Sequence, residues 1–113
     1  MLPAITGFSP YSPVVPNQEP AIASLASSAT AQGARSGDVL ILLGSADCRA
    51  IHAPGDSNEM LAKRRADAVR NLLLPRNLLD PESIRTQSLL QHEKCRQSGD
   101  LRAVFPVLIH VGQ

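Results

Sequence analysis

An arginine at an apolar helical position is the first residue of this sequence that could do chemistry. The run Asn58-Glu59-Met60-Leu61-Ala62-Lys63-Arg64-Arg65-Ala66-Asp67-Ala68-Val69 has helical periodicity, and Leu61, Ala68 and Leu72 form one stripe with Arg65 inside it. A charge left alone on a half-buried face is costly, so a cation there calls for an anionic partner or a charged ligand. Asp47 answers that call, because it closes the segment Gly44-Ser45-Ala46-Asp47 that follows the apolar run Val39-Leu40-Ile41-Leu42-Leu43. The pair reads either as a structural link between helix and strand or as the floor of a ligand site. Lys63 and Arg64 fall on the solvated side of the helix, where Lys63 and Asp67 make an ordinary i, i+4 pair.

The elements that must position this pair follow from pattern. Asp38 to Gly44 is nearly continuous apolar sequence, which predicts a strand covered on both faces. A polar loop then leads to a helix from about Ser57 to Leu74. Asp56 and Glu59 have capping-box spacing at its start, and Pro75 ends it. Upstream, Ile22, Leu25, Ala26 and Ala29 predict a small-residue helix from Pro20 to Gln32 that stops at Gly33. Strands are predicted near Ser83–Leu89 and over Ala103–Val111, the latter at an edge or bulge because Pro106 lies within it. Residues 1–16 hold four of the nine prolines and read as an N-terminal arm with a short edge strand around Ile5 to Phe8, leaving 17–113 as the domain proper. The order β-α-β-α-β-β predicts an α/β (α+β) two-layer sandwich with helices on one face of a mixed sheet.

Composition narrows the function classes. A chain of 113 residues suits one small domain, and 11 basic against 10 acidic side chains give no electrostatic case for nucleic acid. One Tyr, two Phe and no Trp leave few platforms for base stacking. No apolar run approaches a membrane span, and the first residues lack the basic start and apolar core of a secretory signal. Export or anchoring would then depend on a signal or tether outside this sequence.

Gly44-Ser45-Ala46-Asp47 followed by the helical run from Asn58 to Val69 resembles the G-x-x-D and N-x-x-L-S-x-x-R-A-x-x-V motifs of the OmpA-like peptidoglycan-binding domains, with Ala62 in place of the usual serine. Leu101-Arg102-Ala103-Val104 weakly resembles the family's last-strand motif, although Ala103 replaces its second basic residue. The loop from Cys48 to Ser57 is longer than the family's, and the glycines that usually follow the third strand are absent from Leu89 to Glu93. The resemblance implies a non-catalytic periplasmic domain associated with cell wall or outer membrane through a parent protein or lipid anchor. Its partner would be the peptidoglycan stem peptide, with other envelope proteins possible. Asp47, Asn58 and Arg65 would grip diaminopimelate, whose ammonium and carboxylate on one carbon suit a side-by-side Asp and Arg. Asn58 and the helix N-terminus would add a hydrogen bond and a favourable dipole. The alternative is a scaffold of a secretion, pilus or motility machine that keeps the fold without the wall ligand.

In that fold Cys48 and Cys95 would meet at one edge of the sheet, and a disulfide between them suits an exported domain. Cys48, His52, His92 and Cys95 also have spacings that permit a metal site, although an oxidising compartment favours the disulfide. Cys48 beside Asp47 lacks the oxyanion signature and triad spacing of a thiol enzyme, and no phosphate-binding or dinucleotide motif is present, so neither an enzyme nor a cofactor is expected.

Overall fold

Gly44 determines how closely the main helix can approach the sheet. In the computed structural model, which describes residues 2–9, 12–46, 58–89 and 102–111, a Cβ placed on Gly44 would overlap the carbonyl of Ala62 and touch the Ala66 methyl. The strand β2 (Val39–Ser45) that carries Gly44 and the helix α2 (Asn58–Leu73) that carries Ala62 and Ala66 therefore meet almost backbone to backbone. Around this contact are β1 (Ile5–Thr6), α1 (Gln18–Ala31), β3 (Ile84–Ser88) and β4 (Ala103–Ile109). Short 3-10 turns at Leu74–Arg76, where Pro75 stops α2, and at Pro81–Ser83 lead into β3.

The sheet order is β1-β4-β2-β3. β2 and β3 are parallel, with Leu40 opposite Ile84 and Gly44 opposite Ser88, as expected for strands joined through a helix. β4 is antiparallel to both β2 and β1. Among the described residues the fold is thus the expected α/β arrangement of two helices on a mixed four-stranded sheet. Leu40, Leu42, Ile84 and Val104 form one core with Ile22, Leu25 and Ala29 of α1 and Ala66, Val69 and Leu73 of α2. Leu2, Ile5, Phe8 and Val15 from residues 1–16 join the same core.

Three expectations need correction. The buried stripe of α2 is Leu61, Ala62, Arg65, Ala66, Val69 and Leu73, whereas Ala68 and Leu72 are only half-buried. The close approach at Gly44 turns the helix so that its smallest side chains, Ala62 and Ala66, face the strand. β2 is also not equally covered on both sides, because Val39, Ile41 and Leu43 are half-buried and lie on the same face as exposed Val107 and Ile109. Finally, β4 is an interior strand of the sheet, yet β1 pairs only with Ala103 and Val104. Pro106 lies beyond that reach, so its missing N–H falls on the side with no β1 partner while the β2 ladder continues through Leu42↔Pro106. Among the described residues no helix is long and apolar enough to cross a membrane.

α1 ends as its sequence suggests. Gly33 adopts φ +83, and the N–H groups of Gln32, Gly33 and Ala34 donate to the carbonyls of Ser28, Thr30 and Ala29. Past that cap, the buried carboxylate of Asp38 ties two distant segments together. Its Oδ2 accepts from Arg35 N (3.1 Å) and lies 2.9 Å from His110 Nδ1, and its Oδ1 accepts from Val111 N (3.1 Å). Burial works to raise the carboxyl pKa. The hydrogen bonds from Val111, His110 and Arg35, with the His110 charge, outweigh it and hold the pKa below the ordinary value of 3.8. A depressed folded-state pKa stabilises the fold above the unfolded value, and that contribution disappears as pH falls through the folded one. Asp38→Asn should therefore lower the melting temperature at neutral pH and shrink the loss of stability on acidification. Parallel melting curves of variant and parent across the acid range would contradict this role.

Candidate functional site

The residue that sequence singled out is the largest fully buried side chain of the described chain. Arg65 is 0% exposed, and among the described residues two segments, the N-terminal arm and the end of β2, supply its acceptors. Its Nε donates to Ser12 O (2.9 Å), Nη1 to Ser45 O (2.9 Å) and Nη2 to Ser9 O (3.0 Å). The guanidinium carbon also lies 5.2 Å from the centroid of the buried Phe8 ring, within cation–π range. The planar fork of five donors is what allows one side chain to bridge carbonyls arriving from different directions.

Local structure accounts for each contact. Gly44 lets α2 settle on β2, which brings the next carbonyl, that of Ser45, under the guanidinium. Ser45 is fixed in turn by pairing with Ala103. On the other side, Phe8 N–H donates to Arg102 O (3.4 Å) just past β1, and Ser12 N–H donates to Ser9 O (3.1 Å). Ser12 Oγ accepts from Val14 N (3.1 Å). Ser9 O therefore receives two donors, one from the arm and one from α2.

Asn58 is the first residue of α2, seven residues and about 10 Å of helical rise from Arg65. Asp47 lies two positions beyond Ser45 in the chain but outside the described residues, as do Cys48, His52, His92 and Cys95. The candidate disulfide and the alternative metal set therefore fall outside the described residues. Among those described, no group of three or more His, Cys, Asp or Glu is placed to hold a metal ion.

Near the same end of the sheet a groove of about 580 Å³ opens between the first turns of α2 and the end of β3, lined by residues including Glu59, Met60, Lys63, Thr86 and Ser88. Lys63 does not project freely there, since its Nζ contacts both Asp67 (2.9 Å) and Thr86 Oγ1 (2.7 Å). Thr86 Oγ1 in turn donates to Asp67 (2.6 Å). Partial burial pushes the Asp67 carboxyl upward, but these hydrogen bonds and the Lys63 and Arg70 charges bring it below its ordinary value.

Sequence reasoning did not find Ser9, Ser12 and Ser45, because they act through main-chain carbonyls that any residue type would supply. Phe8 carried the better signal, as an aromatic side chain in an otherwise proline-rich arm.

No protein-family profile matches the chain, and no curated protein matches it. Solved structures do. The OmpA-like domain of FopA1 from Francisella tularensis superposes with TM-score 0.63 at 18% identity, covering 92% of this chain and 70% of that one. The peptidoglycan-associated lipoprotein from Burkholderia pseudomallei gives TM-score 0.61 at 21% identity, covering 93% and 88%. The periplasmic domain of Helicobacter pylori MotB gives TM-score 0.68 at 13% identity, covering 96% and 70%. At these identities the likeness is one of architecture, and the architecture of this chain is that of the OmpA-like domains.

Proposed function

We propose that this chain is a non-catalytic module of a bacterial periplasm that binds peptidoglycan through its diaminopimelate-containing stem peptide and anchors an envelope assembly to the cell wall. The observation that carries the reading is the position of Arg65, on the helix that starts at Asn58 and beside the strand end that leads to Asp47. The same fold occurs in a protein named as a peptidoglycan-associated lipoprotein. In this reading Asp47 takes the ammonium of diaminopimelate, Arg65 its carboxylate, and Asn58 a further polar group near the positive end of α2. Modest affinity at one site is enough where many copies are held close to the wall. A Cys48–Cys95 disulfide would suit the compartment and stabilise the fold by about 2–4 kcal/mol.

Co-sedimentation with purified diaminopimelate-type peptidoglycan tests the proposal. The parent chain should pellet with the wall, and Asp47→Asn should remain in the supernatant while melting as the parent does. Equal pelleting of both forms, or of neither, would overturn the assignment.

The second reading, a protein-interaction scaffold without a wall ligand, has its own support. Arg65 has no solvent exposure, and Val107 and Ile109 are 41% and 42% exposed on the sheet face that carries Val39, Ile41 and Leu43. It gains if the chain ignores peptidoglycan yet is captured by an envelope partner through that face.

A further inference from the structure

A ligand carboxylate can reach Arg65 only by displacing groups already seated on it. Of its three carbonyl partners, that of Ser45 belongs to β2 and is locked by cross-strand pairing with Ala103. Those of Ser9 and Ser12 belong to chain outside any helix or strand, between the buried anchors Phe8 and Val15. We propose that the Ser9 and Ser12 carbonyls are an internal occupant of the site, which hold Arg65 closed and which the ligand carboxylate replaces. This inference rests on the stem-peptide reading above and adds its regulation.

The chemistry favours such an exchange. A carboxylate accepts from guanidinium with two ionised oxygens in a bidentate fork and adds the attraction of opposite charges, which a neutral carbonyl lacks. The carbonyls released are main-chain groups of residues close to the surface, so water can take them over with little net loss. The cost of opening appears as weakened apparent affinity, in proportion to the fraction of molecules already open. Two contacts set that fraction without touching the ligand. Ser12 Oγ accepts from Val14 N, and the Phe8 ring lies over the guanidinium.

Ser12→Ala should loosen the closed position without altering the core. With a synthetic diaminopimelate stem peptide as probe, its Kd should tighten roughly two- to tenfold, the range expected from one hydrogen bond. Phe8→Leu, which keeps an apolar anchor but removes the ring, should act in the same direction. NMR amide exchange supplies a second readout in the intact chain. On peptide binding the Ser12 and Val14 amides should lose protection while those of Leu40 and Leu42 keep theirs. Saturable binding with unchanged Kd in both variants and retained Ser12 protection would overturn the occupant and leave the binding reading intact. Absence of binding in the parent and both variants would overturn both.

Discussion

Replacing Gly44 by alanine should lower the stability of this chain by about 3 kcal/mol, the upper end of what overpacking ordinarily costs. The reason is geometric. The added methyl would meet the carbonyl of Ala62, a main-chain atom in the second turn of α2, with the Ala66 methyl close behind. A flexible side chain could swing aside, but a helix carbonyl moves only with the helix. Relief therefore requires α2 to lift from β2, which opens the core around Leu42, Ala66 and Val69 and pulls Arg65 away from Ser45 O. Truncating Ala62 or Ala66 to glycine should not restore stability, because the main obstacle is backbone. Urea denaturation of the parent, Gly44→Ala and Gly44→Ala/Ala66→Gly measures this. A single variant within about 0.5 kcal/mol of the parent would contradict the close approach.

Arg65→Ala should cost a similar amount, about 3–5 kcal/mol, by a different route that combines an unsatisfied acceptor with a cavity. Removing the guanidinium leaves the buried carbonyl of Ser45 without that donor, at a cost of about 1–3 kcal/mol, whereas Ser9 O keeps the Ser12 N–H and water can reach Ser12 O. The lost stem adds a cavity beside Phe8. Arg65→Met separates the two effects, since it keeps much of the packing and none of the hydrogen bonds. Arg65→Lys keeps the charge but concentrates its donors on one nitrogen, which cannot bridge three carbonyls spread around a planar fork. The expected stability order is parent, then Lys and Met, then Ala. If Arg65→Met equals the parent in urea denaturation, the carbonyls do not depend on Arg65 and its structural role falls. The same result governs how binding is tested: loss of binding in Arg65→Ala would be ambiguous with loss of fold, so Asp47→Asn is the variant to use.

Much of this architecture is written in local pattern. The apolar run ending in Gly44 and the helical spacing from Leu61 to Leu73 identify β2 and α2, and Gly33 and Pro75 mark where helices stop. Arg65 was legible as an anomaly because its neighbours at helical spacing are apolar. Its partners were not, since carbonyls have no side-chain signature and Ser9 and Ser12 lie more than fifty positions away. The Asp38–His110 contact was hidden for the same reason, with 72 positions between the two residues. The exact face of α2 was misread because amphipathic spacing reports which residues are apolar, whereas the backbone contact at Gly44 decides which of them turn inward. Continuous apolar sequence in Val39 to Leu43 likewise suggested two covered faces, although hydrophobicity alone does not state what covers them.

The most direct test of the central claim is an NMR titration of the isotope-labelled chain with a diaminopimelate stem peptide, run beside the otherwise identical lysine peptide. Lysine lacks the side-chain carboxylate, so it removes the group assigned to Arg65 while leaving the rest of the peptide unchanged. The account predicts saturable shifts at Asp47, Asn58 and the Arg65 side chain with the diaminopimelate peptide, much weaker shifts with lysine, and none in a folded Asp47→Asn variant. A folded parent chain whose spectrum does not change at millimolar diaminopimelate peptide would contradict it, leaving Arg65 as a purely structural clamp.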